Sequence, residues 1–163
     1  MKTGRFGSRL KPLLTYHFNG LERLVLCGGK IGTPGPARAS DYLDDAYAFD
    51  PENNSWRVFP RMPRPALLAP SVQLSSTQLA VCGGSDGHDL ERMAELGSAY
   101  QIPDDVLVFD ASTSVWGRAG SMPIGVVGAA VIEVDGGWIL AGGEYSPGLR
   151  TPKVHLLSAG GRD

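Results

Sequence analysis

The stretch LVLCGG at residues 24–29 decides the fold, because it recurs twice along the chain. The same phrase returns as LAVCGG at residues 79–84 and as WILAGG at residues 138–143. Each copy is a short apolar run that ends in two glycines. A run of this kind is typical of a buried strand, and a Gly-Gly pair is a strong turn signal. The chain is therefore built from repeats of one structural unit.

A second phrase follows the first two copies at a constant distance. DDAYAFD at residues 44–50 leads to Trp56, and DDVLVFD at residues 104–110 leads to Trp116, so that each matched residue recurs 60 positions later. Runs rich in small and β-branched residues precede the two later Gly-Gly pairs. The repeating unit is thus predicted to be four short strands joined by turns.

Gly-Gly, Phe-Asp and Trp at fixed places in a four-stranded unit resemble the kelch repeat, which forms the blade of a β-propeller. The resemblance implies an all-β fold, a kelch-type β-propeller of about three four-stranded blades, near residues 12–60, 66–120 and 125–158. The last blade is incomplete, because no fourth strand with its Trp follows. The propeller domain would occupy residues 12–163, after an irregular segment at residues 1–11. Propellers close with four to eight blades, so we expect a piece of a larger ring, or self-association of copies that completes one.

Residues 85–103 interrupt the strand pattern. Leu90, Met93, Ala94 and Leu96 recur at roughly helical spacing, and Gly97 is a stop signal. A short helical insertion is therefore predicted near residues 89–97. It is expected to be either a packed cover over the rim of the propeller or a lid beside a pocket.

Composition and charge exclude several classes of function. The 163 residues carry a formal net charge of −2 and no broad basic field, so nucleic acid is not an expected partner. No apolar run approaches the roughly 18 residues needed to span a membrane. The basic N-terminus is not followed by the apolar region of a signal peptide, and the cellular compartment stays open.

Cysteine and histidine usage point to no metal site. Cys27 and Cys82 occupy equivalent repeat positions, which favours two small buried residues over a disulfide. The three histidines are scattered, and His88 beside Asp86 and Asp89 is better read as a polar turn. The pairs Gly83-Gly84 and Gly142-Gly143 end strands without the lysine of a phosphate-binding loop, so nucleotide binding is not indicated.

The third loop carries the most specific functional signal. Loops that follow the second strand of each blade leave on the same side of a propeller, because successive strands reverse direction. The third of them, within GEYSPGLRTPKV at residues 143–154, resembles the motif of the N-acetylneuraminate epimerase (sialic acid mutarotase) group of kelch propellers. The resemblance implies that Glu144 is the proton acceptor and that Arg150 binds the substrate. It also implies a sugar-acid substrate, and a family whose members are often periplasmic.

The chemistry of these two side chains fits such an isomerase independently. Exchange of sugar anomers removes a proton from the anomeric hydroxyl and delivers one to the ring oxygen. A partly buried carboxylate with a raised pKa can take and return that proton. A planar guanidinium can hold the carboxylate of a sugar acid with two hydrogen bonds, and the reaction needs no cofactor.

Several alternatives stay open at this point. Glu144 and Arg150 could simply pair with each other and fix the turn, as a weak surface salt bridge. The chain could be a binding module without catalytic activity, whose rim loops meet a protein or glycan partner. It could also be a non-functional remnant with an incomplete fold.

Overall fold

A computed structural model describes residues 13–18, 21–32 and 34–158 of the chain. The irregular segment predicted at residues 1–11 lies outside these ranges, and so do residues 159–163 at the end of the predicted propeller domain. No helix in the described part is long and apolar enough to cross a membrane.

In the described residues, three antiparallel sheets of three or four strands follow one another, and we call them blades 1, 2 and 3. Blade 1 contains β1 (Leu13–Phe18), β2 (Leu21–Cys27), β3 (Ala46–Asp50) and β4 (Ser55–Phe59). Blade 2 contains β5 (Ser71–Gln73), β6 (Gln78–Cys82), β7 (Asp105–Asp110) and β8 (Val115–Ser121). Blade 3 contains β9 (Ala130–Val134), β10 (Gly137–Ala141) and β13 (Val154–Ser158), with a separate hairpin of β11 (Glu144–Ser146) and β12 (Leu149–Arg150). The predicted all-β repeat is confirmed, and the described part of blade 3 has three strands.

Each Gly-Gly pair ends the second strand of its blade in a conformation that other residues adopt only with strain. In blade 2, Gly83 has φ of 63° and Gly84 has φ of 82°. A Cβ at Gly84 would lie 2.6 Å from the Cβ of Ala69 in the connection that enters blade 2. The glycines therefore serve both a left-handed turn and a close approach of two backbones.

Aromatic side chains fill the space between blades 1 and 2. Phe109 of β7 packs on Phe59 of β4 with ring centroids 4.4 Å apart, and on Trp116 of β8 at 5.4 Å. The Trp116 indole N–H donates to the carbonyl of Pro60 at 2.9 Å, so its polar edge is satisfied across the interface. Phe109, Phe59 and Trp116 are all buried, and they belong to one apolar cluster.

Arg64 links the connection between blades 1 and 2 to blade 2. Its guanidinium forms an ion pair with Asp105 of β7 and donates to the carbonyl of Gly83 at 2.9 Å and to that of Pro65 at 2.8 Å. Both members of the ion pair are largely buried. The end of β6 and the start of β7 are therefore held to the incoming chain.

The interface between blades 2 and 3 is a second apolar cluster. Trp138 and Leu140 of β10 pack with Ala80, Cys82 and Val106 of blade 2. Cys27 and Cys82 are both buried and form no disulfide, as predicted. Burial raises the pKa of the Cys82 thiol to about 12, because the thiolate would lose its hydration.

The outer faces of blades 1 and 3 expose apolar side chains. Val58 of β4 is 80% exposed, and Leu156 of β13 is 68% exposed. On blade 3, the cross-strand row of Ile132, Ile139 and Leu156 forms one such face. Apolar side chains of the same kind are buried where blade 1 packs on blade 2 and where blade 2 packs on blade 3. Self-association that would cover the exposed faces stays a prediction.

The helical insertion is present and lies between β6 and β7. It consists of a 3₁₀ turn at Leu90–Arg92, the short helix α1 at Met93–Leu96 and a second 3₁₀ turn at Gly97–Ala99. None of its residues is fully buried. It is therefore a surface layer on the rim and not part of the core.

Candidate functional site

Glu144 stands at the first position of β11, directly after the third Gly-Gly pair. Its backbone N–H donates to the carbonyl of Val127 at 2.9 Å, and its own carbonyl accepts from the N–H of Val127 at 2.9 Å. Val127 belongs to the connection that enters blade 3. The side chain of Glu144 is half-buried. The backbone under the carboxylate is thus fixed by two hydrogen bonds to the connection.

Arg150 lies directly across a hairpin from Glu144. The two residues are register partners of β11 and β12, and the segment predicted as a loop is therefore a small sheet. Directly opposed residues have Cβ atoms about 5 Å apart on the same face. Arg150 is exposed, while Glu144 is half-buried. The structure brings the two predicted site residues together.

The Glu144 carboxylate is oriented by the turn of the hairpin. Its Oε1 atom accepts a hydrogen bond from the backbone N–H of Gly148 at 3.2 Å. Within the described ranges, Glu144 and Arg150 form no ion pair within 4 Å, so a direct salt bridge is not what fixes this turn. One oxygen of the Glu144 carboxylate is held by the turn, and Arg150 is exposed.

Hydrogen bonds hold the hairpin to the insertion and close it at its base. Ser146 is only 1% exposed, and its hydroxyl donates to the carbonyl of Gly97 in the insertion at 3.1 Å. The N–H of Thr151 donates to the carbonyl of Gly143 at 3.0 Å. The hairpin that carries both charges is therefore held to neighbouring segments at Glu144 and at Ser146, as a preorganised site requires.

Three rim loops meet in a cleft of about 320 Å³ beside Glu144. The first loop contributes Tyr42, the second contributes Ser85, and the third contributes Glu144. Ser85 and Glu144 each follow a Gly-Gly pair directly, so they occupy the same repeat position on adjacent blades. Burial raises the pKa of the Tyr42 hydroxyl, while its hydrogen bond with Ser85 acts in the opposite direction. Sequence reasoning predicted the shared rim but missed Tyr42 and Ser85.

The other walls of this cleft are apolar. They are formed by aliphatic side chains from the connection into blade 2, from the insertion and from the connection into blade 3, namely Leu67, Leu68, Leu90, Met93 and Val127. Leu68 has φ of 53°, a left-handed conformation that costs a residue with a side chain about 1–2 kcal/mol. No sequence pattern indicated that this leucine is strained or that it faces the site.

A larger and more polar cleft of about 480 Å³ lies on the other side of the hairpin. Asp86, His88, Asp104 and Tyr145 are among the residues that line it, and neither Glu144 nor Arg150 is. His88 donates its backbone N–H to Asp86 at 2.9 Å, and its ring lies 3.3 Å from the carboxylate of Asp89. In the part of the chain that the structure describes, no group of three or more His, Cys, Asp or Glu side chains could hold a metal ion. The His88 segment is a polar turn.

Comparison with known proteins agrees with this architecture. The kelch motif model matches residues 22–63, which cover most of blade 1. A solved structure of YjhT superposes with a TM-score of 0.72 at 24% sequence identity, over 93% of this chain and 49% of that chain. The fold is therefore that of a kelch β-propeller.

Curated relatives give a narrower similarity. The N-acetylneuraminate epimerase of Yersinia pestis (strain Pestoides F) is 33% identical, over 80% of this chain and 41% of the relative. The enzyme of the same name from Haemophilus influenzae (strain PittEE) is 30% identical, over 69% of this chain and 36% of the relative. The chain thus spans about two fifths of the length of the curated relatives it matches. It is a kelch-repeat chain that resembles the N-acetylneuraminate epimerase family.

Proposed function

We propose that this chain carries the catalytic edge of an isomerase that interconverts the anomers of a sialic-acid-like sugar acid. The observation that supports the proposal most is the pairing of Glu144 with Arg150 across one pinned hairpin on the rim. A carboxylate and a guanidinium held at fixed separation suit a substrate that presents a hydroxyl and a carboxylate on the same carbon. The anomeric carbon of a sialic acid is of this kind.

Glu144 acts as the proton acceptor. Its carboxylate takes the proton of the anomeric hydroxyl, the bond between the anomeric carbon and the ring oxygen breaks, and the ring oxygen receives a proton. The open-chain ketone then rotates, and the reverse steps close the ring on its other face. Because the anomeric oxygen and the ring oxygen are bonded to one carbon, a single carboxylate can serve both proton transfers. General acid–base catalysis of this kind contributes about 10²–10⁴-fold to a rate.

Arg150 acts as the clamp for the substrate carboxylate. Its guanidinium offers a planar pair of N–H donors that matches a carboxylate. Since Arg150 is exposed and Glu144 is half-buried, the charged group of the substrate would stay at the mouth while the reacting hydroxyl lies deeper. The clamp therefore orients the anomeric carbon over Glu144.

Similarity supports the same substrate class. The relatives from Yersinia pestis and Haemophilus influenzae are named N-acetylneuraminate epimerase, and the motif at residues 143–154 resembles that of the same group. The proposal extends that name to a chain that spans about two fifths of theirs.

Anomer exchange of N-acetylneuraminic acid, followed by NMR, tests the proposal. The exchange rate with the protein is expected to exceed the rate in buffer, in proportion to protein concentration. If the protein binds the sugar acid and the exchange rate stays at the buffer value, the chain is a binding module, and the isomerase proposal is wrong.

A further inference from the structure

The cleft of about 320 Å³ beside Glu144 has walls that the proton transfer does not use. Leu67 and Leu68 form one side, Leu90 and Met93 of the insertion form another, and Glu144 lies among them. Aliphatic walls offer nothing to the hydroxyl groups of a sugar. They favour a substituent that carries a methyl group.

Leu68 has a backbone conformation that is unfavourable for leucine. Its φ of 53° lies in the left-handed region, which is unusual for a leucine. Gly128 occupies the matching place 60 residues later, has φ of 64°, and donates its N–H to the carbonyl of Leu68 at 2.8 Å. The fold therefore needs the left-handed conformation at this repeat position, and glycine provides it without strain. Blade 2 carries a leucine instead, which adds an apolar side chain to the cleft.

The insertion fixes another wall of the cleft. Leu90 and Met93 are three residues apart and both half-buried, so they lie on one side of the helical segment. The segment is bonded to the hairpin where the buried Ser146 hydroxyl meets the carbonyl of Gly97. The distance between this wall and Glu144 is therefore set by the fold, and the cleft is a preformed one.

The position of the cleft relative to Glu144 and Arg150 indicates which group of the substrate it would bind. In the proposed function, Arg150 holds the carboxylate and Glu144 the hydroxyl of the anomeric carbon. The acylamino group of an N-acylated sialic acid stands on the ring carbon opposite the anomeric carbon. A ring placed with its anomeric carbon at Glu144 can direct that group along the cleft.

We propose that this cleft binds the acyl group of an N-acylated sugar acid, with Leu68 as the residue that sets the preference for acyl over hydroxyl. The inference rests on the proposed function for its orientation of the ring. Its binding test does not depend on catalysis.

Saturation-transfer NMR with N-acetylneuraminic acid tests this binding directly. Irradiation of the protein methyl groups is expected to saturate the acetyl methyl protons more than the other protons of the sugar. The affinity is expected to fall about tenfold in Leu68→Gly, which is the scale for one small apolar group in a pocket. The analogue with a hydroxyl in place of the acylamino group should bind the two proteins equally.

Two further variants distinguish a specific effect on the cleft from a general loss of folded structure. Leu68→Asn keeps a residue that tolerates the left-handed conformation but makes the wall polar, and it should weaken binding of the acetylated sugar as Leu68→Gly does. Leu156→Ala removes a leucine of β13 that is 68% exposed and that does not line the cleft. It should bind both sugars as the parent chain does.

The outcomes distinguish the two proposals. If the acetyl methyl is not preferentially saturated, or if Leu68→Gly binds both sugars equally well, the acyl cleft is wrong whatever the catalytic result. If the acetyl methyl is saturated and Leu68→Gly loses it while no anomer exchange is catalysed, the acyl cleft holds and the isomerase proposal fails.

Discussion

Replacing one glycine of a Gly-Gly pair should destabilise the chain more than replacing a turn glycine with the same backbone angle. Gly84 has φ of 82° and Gly136, in the turn between β9 and β10, has φ of 83°. An added Cβ at Gly84 would lie 2.6 Å from the Cβ of Ala69, whereas at Gly136 it would meet no atom within 4 Å. The two positions therefore differ in available space and hardly in backbone strain.

The expected cost follows from adding these two effects. Gly136→Ala should lower the free energy of unfolding by about 1–2 kcal/mol, which is the cost of a left-handed residue with a side chain. Gly84→Ala should add about 1–3 kcal/mol of overpacking against Ala69. For a chain of this size, each kcal/mol corresponds to about 2–4 °C in melting temperature.

Urea unfolding of the parent chain and both variants measures the difference. The midpoint of Gly84→Ala should lie below that of Gly136→Ala, with similar slopes for both variants. Equal midpoints would mean that the connection at Ala69 does not press against the Gly-Gly pair, which contradicts the close approach at Gly84.

Two other substitutions test a surface carboxylate and the substrate clamp. The hydroxyl of Ser112 and then the amide of Gln78 hold the pKa of Asp110 at about 2, below its ordinary value, so its contribution to stability is present above about pH 4 and is lost as pH falls towards 2. Asp110→Asn should therefore flatten the fall of the urea midpoint between pH 4 and 2, and an unchanged fall would contradict this role. Arg150→Met should raise the KM for anomer exchange about tenfold or more, the scale of a lost charged hydrogen bond, with a smaller change in kcat. Arg118→Met, at another exposed arginine, is the control, and an equal effect of both variants would remove Arg150 from the substrate site.

The repeat was readable from the sequence because each of its elements is local. LAVCGG at residues 79–84 encodes a buried strand and the turn that ends it within six residues. The 60-residue spacing of the repeat then predicts the position of each third strand. The structure has β7 at Asp105–Asp110, within DDVLVFD at residues 104–110. The same spacing predicts which aromatic side chains pack between blades, since Phe109 lies 60 residues after Phe49.

The candidate site was only partly readable. The motif at residues 143–154 identified Glu144 and Arg150, but the turn residues Pro147 and Gly148 indicated a loop, and the structure has a hairpin that makes the two charges cross-strand neighbours. That pairing depends on the register between two very short strands. Such a register is set by contacts with the rest of the rim, including Ser146 with the insertion.

The cleft could not be predicted from local pattern. Its walls come from segments that lie far apart in sequence, and Leu68 shows no anomaly until its backbone angle is known. The shared rim of the loops after each Gly-Gly pair was predicted, but this rule was not applied to the single residue that follows each pair. That rule would have placed Ser85 beside Glu144.

The central claim is that Glu144 accepts the proton that opens the sugar ring. Its most direct test is the NMR exchange rate between the anomers of N-acetylneuraminic acid with Glu144→Gln, measured beside Glu133→Gln, a matched change at an exposed glutamate of β9. The amide keeps the size of the side chain but cannot accept the proton. Catalysed exchange is expected to fall about 10²–10⁴-fold in Glu144→Gln and to be unchanged in Glu133→Gln. Catalysed exchange that persists in a folded Glu144→Gln protein would contradict the claim.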